Sequence, residues 1–245
     1  MNEPVFVTAI YRIYGEERPA YCDEVWARFA FLVRHLPTIH AFCSLADASR
    51  LSAFPNVIPH FVEFTDLDTY RALAYAHGLP DTRNTLKDSK EFMILINAKP
   101  EFLRRTREAA PAASHYIWID AGIQKILHTE PSDALTRMVA RCHALCARET
   151  PAKILLPGTN WKWRSPTIGN VARKIRWRFC GGFCVVPAQC VDAFARETAV
   201  GAQEILRATG KLTWEVNVWA YMESRLPIRW YRCGWNESMF ALPTE

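Results

Sequence analysis

No apolar run in this chain approaches the roughly 18 residues that a membrane-crossing helix needs. Its opening residues, MNEPVFVTAIYRI, lack the basic start, long apolar segment and small-residue cleavage site of a secretory signal. A cytoplasmic protein is therefore expected. There is no Gly-x-x-x-x-Gly-Lys phosphate loop, no Gly-x-Gly-x-x-Gly, no Gly-x-Ser-x-Gly and no His-Glu-x-x-His. These absences argue against P-loop NTPases, dinucleotide enzymes, elbow-type serine hydrolases and zincins. The seven histidines show no metal-ligand spacing. No internal repeat, low-complexity tract or Ser/Gly linker divides the chain, so a single domain spanning residues 1–245 is expected.

Cysteine is not scarce, but its arrangement is uninformative for metals. Cys142 and Cys146 are four apart on a predicted helix, and Cys180 and Cys184 flank a glycine pair; neither pair has the two-residue gap of a zinc knuckle. Several of the eight sit among apolar neighbours, where a free thiol acts as a small hydrophobe. They read as reduced core thiols. Tryptophan is plentiful, with nine copies, many beside Arg or Lys, and the net charge of +5 suits polyanionic ligands without requiring nucleic acid.

Periodicity places a first strand over 4–11, a helix over 19–36 and strands over 39–45 and 57–64. Pro59 assigns the last of these to a sheet edge or a late start. Residues 66–89 read as irregular. A helix over 90–108 is expected to kink or break near Lys99 because Pro100 follows it. After it come the strand YIWI (116–119), a helix from Pro131, a short strand over 153–157 and a long strand or hairpin over 175–186. Helices over 188–209 and 214–225 and a strand over 228–232 complete the pattern. The alternation predicts an α/β protein, with a mixed sheet and an added lobe in the second half.

The most informative stretch is YIWIDAGI, residues 116–123. Aromatic and β-branched residues suit a buried strand, and the strand stops at Asp120, followed by the small residues Ala121 and Gly122. A carboxylate at the carboxyl end of such a strand faces the edge where open α/β sheets take ligands. There it can hold a hard cation, Mn²⁺ or Mg²⁺, with a diphosphate and water filling the other positions. The plainer alternative is an Asp that caps a turn. Other candidates are Thr8, Tyr11 and Arg12 at the end of the first strand, where a base can lie against the tyrosine ring. Lys99 is placed to reach a diphosphate or to pair with Asp120. Gly181 and Gly182, costly inside a strand, mark a bulge or a close ligand approach. Glu215 heads the apolar helix face of Val218, Trp219 and Met222. Partial burial would move its pKa toward that of a general base, while the helix N-terminus favours its charged form.

Taken together, Asn97-Ala-Lys99-Pro-Glu-Phe-Leu103, YIWIDAGI, CGGFCVVP (180–187) and Thr213-Trp-Glu215 follow an order that resembles nucleotide-sugar glycosyltransferases of the GT-A type. More narrowly, they resemble the HtrL/YibB-like group. The resemblance implies a Rossmann-like, GT-A-like mixed sheet, with residues 1–125 as the nucleotide-binding half and 126–245 as the acceptor-binding half. It implies a nucleotide-sugar donor and a glycan or lipid-linked acceptor, as in polysaccharide biosynthesis, with no nucleic acid partner. Asp120 then binds metal and donor, Gly181 and Gly182 line the donor sugar, and Glu215 is the catalytic base. One departure is plain. GT-A enzymes commonly carry Asp-x-Asp, whereas Asp120 is followed by Ala121 and Gly122, so metal dependence is left open.

A rival lies in residues 161–179, WKWRSPTIGNVARKIRWRF. Basic and aromatic side chains together can bind single-stranded nucleic acid or another polyanion. Alternation in KIRWRF instead suggests a half-buried strand with Arg176 and Arg178 on a solvated face.

Overall fold

In a computed structural model of the chain, residues 3–14, 19–148, 152–159 and 166–243 are described, residues 19–22 by their backbone alone. The first half lays down β1 (Pro4–Ala9), α1 (Pro19–Val33), β2 (Ile39–Cys43), α2 (Ala48–Leu51), β3 (Val57–Phe61) and α3 (Asp68–Leu73). Next come α4 (Lys90–Asn97), α5 (Lys99–Ala109) and β4 (His115–Ile119). The second half adds α6 (Pro131–Cys146), β5 (Ile154–Gly158), α7 (Ile168–Val171), β6 (Phe183–Pro187), α8 (Val191–Thr209), α9 (Glu215–Tyr221) and β7 (Ile228–Arg232).

The strands form one seven-stranded sheet in the order β3-β2-β1-β4-β6-β5-β7. β3, β2, β1 and β4 are mutually parallel, β6 runs against both β4 and β5, and β5 and β7 are parallel. Six of the strands therefore end at one edge of the sheet, and β6 starts there. The added lobe expected for the second half is instead a continuation of this sheet. Pro59 lies in β3, an edge strand, where a missing N–H is tolerated.

Helices cover both faces, and the alternation of β4 shows how. Tyr116 and Trp118 enter the layer beneath α4, α5, α8 and α9, whereas Ile117 and Ile119 enter the layer of α1 and α6. In the first layer Phe102 stacks between Tyr11 and Trp118, with centroids at 6.0 and 5.9 Å, and packs on Phe42 at 4.9 Å. The α4–α5 break falls at Ala98, and Pro100 occupies the first turn of α5, where a missing N–H costs nothing.

Two expectations fail for tertiary reasons. Within 66–89, the short helix α3 forms because a distant carboxylate starts it: Glu101 on α5 accepts from Asp68 N at 2.9 Å and Thr69 N at 2.8 Å. Within 175–186 only Phe183–Pro187 is strand. Arg178 and Phe179, adjacent in sequence, are both buried, which no alternating strand allows. Arg178 donates to Glu223 from Nε at 3.0 Å and stacks on Trp230, while Trp177 is left outside. Asn217 then ties the segment down by accepting from Arg176 N and donating to the carbonyls of Val171 and Lys174. Residues 161–165 of the basic, aromatic stretch lie outside the described residues.

Seven cysteines are free and buried, as the sequence suggests; the side chain of Cys22 lies outside the described residues. Burial pushes the thiols of Cys43 and Cys184 up to about 12, so both are protonated at neutral pH.

Because Phe102 joins β1, β2 and β4 to α5, Phe102→Ala should cost about 3–5 kcal/mol, by lost transfer energy plus a cavity. Urea unfolding should show a lower midpoint with an unchanged slope.

Candidate functional site at the carboxyl edge of β4

Asp120 is the first residue past β4, and its N–H donates to Gly182 O at 2.9 Å, so the two segments are locked side by side. Strand alternation turns its side chain to the Trp118 side of the sheet, and the indole Nε1 donates to Asp120 Oδ1 at 2.7 Å. Trp118 is a site residue that the sequence reading missed; its signal is the two-residue spacing on a strand.

Beneath this carboxylate lies Lys99. Its ammonium donates to Glu215 Oε1 at 2.8 Å and to the carbonyl of Gly181 at 2.8 Å, and stands 3.0 Å from Asp120 Oδ1. Burial pulls the ammonium toward its neutral form, but the two carboxylates outweigh burial and raise its pKa above the ordinary lysine value. Lys99 is thus charged, buried and paired.

Glu215 opens α9 and is held there from both sides. Asn97, at the end of α4, donates to Met93 O and Thr213 O at 2.8 Å each, which clamps the α4 terminus to the segment leading into α9. Glycine is required opposite it: a Cβ at position 181 would collide with Glu215 Oε1 and stand 2.9 Å from its Cδ. At position 182 a Cβ would come within 2.9 Å of Ile123 Cδ1 and 3.5 Å of Asp120 Oδ2. The glycine pair therefore marks a close approach between protein segments, made by Lys99 and its partners.

The two acids differ in access. The Asp120 side chain is 40% exposed and that of Glu215 only 8%. With Asp120 Oδ1 engaged by Lys99 and Trp118, its Oδ2 is the carboxylate oxygen with room for a ligand. Gly122 sits just past it, where a short 3-10 turn begins at Ile123. Lys99 occupies Glu215 Oε1, so Oε2 is the oxygen at which Glu215 could accept a proton without breaking that bond.

The structure brings together Lys99, Asp120, Gly181, Gly182 and Glu215. Thr8 in β1 and Tyr11 and Arg12 past its end, where the strand expected over 4–11 stops at Ala9, lie elsewhere along the same edge. Thr8 is fully buried, with Oγ1 lacking a partner. Tyr11 donates its hydroxyl to Val62 O at 3.0 Å, and burial raises its pKa. Arg12, about half exposed, pairs with the buried Asp47 at 2.5 Å. Of the three, Arg12 alone offers a polar end to solvent.

The donor set does not compose a protein-built cation site. Asp120 contributes one free oxygen, and an ammonium already stands 3.0 Å from the other. Among the described residues no three His, Cys, Asp or Glu side chains cluster in a way that could hold a metal. The Asp-x-Asp at Asp66 and Asp68 is spent on arginines, Asp66 with Arg71 at 3.0 Å and Asp68 with Arg104 at 2.8 Å.

No family model matches the chain, and no curated protein matches its sequence. Its fold, however, is similar to that of solved structures. Mouse xyloside xylosyltransferase 1 superposes with a TM-score of 0.52 at 7% identity, covering 94% of this chain and 85% of that one. A glycosyltransferase involved in glycosylation of the major capsid of PBCV-1 gives 0.47 at 10% identity, covering 94% and 81%. A Mycobacterium tuberculosis protein solved with manganese gives 0.43 at 12% identity, covering 95% and 88%. The last two superpose too loosely to support an argument. The fold is of the GT-A type, a mixed sheet flanked by helices.

Lys99→Met leaves two buried or half-buried carboxylates without their cation and should cost about 3–5 kcal/mol. Glu215→Gln, which keeps shape and leaves Lys99 with Asp120, should cost less. The lysine's folded pKa is raised, so its stabilisation is fully present below about pH 10.4, the unfolded value, and is lost as pH rises through the folded one. The stability difference between wild type and Lys99→Met, followed by denaturation from pH 8 upward, should therefore shrink only on the alkaline side.

Proposed function

We propose that the chain is a glycosyltransferase that moves a sugar from a nucleotide-sugar donor to a glycan or lipid-linked acceptor. One observation carries the reading: the partly exposed Asp120 carboxylate at the ligand edge of a GT-A sheet, with its Oδ1 held by buried Lys99 and Trp118. The narrower resemblance to the HtrL/YibB-like group rests on the sequence motifs alone. A cytoplasmic setting belongs to the same proposal; among the described residues no helix is long and apolar enough to cross a membrane.

In this reading residues 1–125 hold the nucleotide and 126–245 the acceptor. Arg12 supplies positive charge along the β1 edge, and Gly122 leaves the backbone beyond Asp120 open. Asp120 Oδ2 accepts a hydrogen bond from the donor or the attacking hydroxyl. Glu215 and Lys99 act with it as one unit. Lys99 cancels one of the two negative charges, and Glu215 fixes the ammonium so that the Asp120 carboxylate stays oriented. If Glu215 itself takes the acceptor proton, it does so at Oε2, with Oε1 still held by Lys99. The Mn²⁺ or Mg²⁺ of the sequence reading finds one oxygen here, and no step is assigned to it.

A polyanion-binding role for residues 161–179 is less well supported, because Arg178 is buried against Glu223 and Trp230 and so cannot reach a phosphate.

A thermal-shift panel of UDP, GDP, CDP and TDP, each with and without Mn²⁺, should show one clear stabiliser. Silence from all of them refutes the reading. Asp120→Asn should abolish sugar transfer while the melting temperature changes little; a large loss of stability would make Asp120 structural. Binding of single-stranded RNA that weakens steeply with salt would favour the polyanion reading instead.

A further inference from the structure

Trp177 and Trp235 are 46% and 43% exposed, yet they touch, with ring centroids 4.2 Å apart and planes at 78°. Single exposed hydrophobic residues are ordinary; two large indoles locked edge to face in solvent are not. Neither ring belongs to the cluster around Lys99.

Their backbone positions are firmly set. Thr159, just past β5, donates its hydroxyl to Trp177 O, and its N–H donates to Arg178 O at 3.2 Å. Cys180 N donates to Pro157 O at 2.8 Å and Cys233 N to Gly158 O at 2.9 Å. The sulfurs of Cys180 and Cys233 are in contact at 3.4 Å. Gly234 N donates to Ser238 Oγ at 2.7 Å. Both tryptophans are thereby fastened to the carboxyl ends of β5 and β7, on the sheet edge that also carries Asp120. Trp177 precedes Gly181, the carbonyl partner of Lys99, by four residues, a span of at most about 14 Å.

We propose that Trp177 and Trp235 form the stacking platform for the sugar rings of an oligosaccharide acceptor, aligning its terminal hydroxyl with Asp120. This deepens the glycosyltransferase reading and rests on it for the role of acceptor. The chemistry selects a saccharide. One face of a pyranose is a patch of C–H groups that lies flat on an indole, while its hydroxyls need polar neighbours. The half-buried Asn236, next in sequence to Trp235, supplies one: its Oδ1 accepts from Ser238, and its amide NH2 is the group that a sugar hydroxyl would meet. A lipid would need a wider apolar surface than two rings, and a nucleic acid would need the charge that Arg178 spends on Glu223.

The test is binding of a printed panel of α- and β-linked hexose, pentose and N-acetylhexosamine oligosaccharides to the full chain, then titration of the best binder. Trp177→Ala and Trp235→Ala should each weaken that binding at least about tenfold, and Trp177→Phe should recover part of it. The thermal shift given by the stabilising nucleotide should be unchanged in all three. No binder in the panel, or equal binding by wild type and both alanine variants, overturns the platform even if a nucleotide stabilises the chain. So does tryptophan-dependent binding of single-stranded RNA or phosphatidylcholine vesicles in place of oligosaccharide. Tryptophan-dependent glycan binding with no nucleotide response keeps the platform as a glycan site and removes the transferase reading.

Discussion

An ammonium group with almost no access to water is the constraint on which this structure turns. Desolvating a lysine costs several kcal/mol unless its protons and its charge are met. Lys99 meets both needs through Gly181, Glu215 and Asp120, which come from the approach to β6, the start of α9 and the end of β4. Three segments far apart in sequence are held within one hydrogen-bond radius of a single nitrogen. Their relative placement is the geometry of the candidate site.

The same constraint explains why the neighbouring residues are what they are. Position 181 must be glycine because the Glu215 carboxylate fills the space of a side chain. Asn97 holds the segment leading into the Glu215 turn, and Asn217, two residues past Glu215, ties that turn to the backbone at Val171 and Lys174. Trp118 takes a second bond to Asp120 Oδ1 and packs on Phe102, so the apolar layer and the polar cluster share a wall. Asp120, the more exposed of the two acids, keeps Oδ2 clear of Lys99 and Trp118, which places the accessible chemistry of the site at the end of β4. A sheet whose neighbouring strands end or begin at one edge then sets Arg12 on one side of that point and the Trp177–Trp235 pair on the other.

Much of this was legible without coordinates. Hydrophobic periodicity is a local property, and it located the strands at β1, β2, β4, β5 and β7, the long helices α6 and α8, and the break before Pro100. The strand that stops at an acid and the unusual glycine pair drew attention to Asp120, Gly181 and Gly182, and the order of motifs pointed to a GT-A sheet. What was not legible depends on partners distant in sequence. α3 exists because Glu101 supplies the start that its own residues lack, and KIRWRF leaves the strand pattern because Glu223 and Trp230 draw Arg178 inward.

The sequence by itself determined which residues are unusual enough to matter, because an acid after an apolar strand or two glycines in a β-rich run break a local rule. Only the tertiary structure decided what they do to one another. It converted Lys99 from a reaching cation into a buried clamp, made Glu215 its partner, and left Asp120 as the exposed acid. It also turned Trp177 outward to meet Trp235. Charge pairing and burial are fixed by distance in space, and 116 residues of chain separate Lys99 from Glu215.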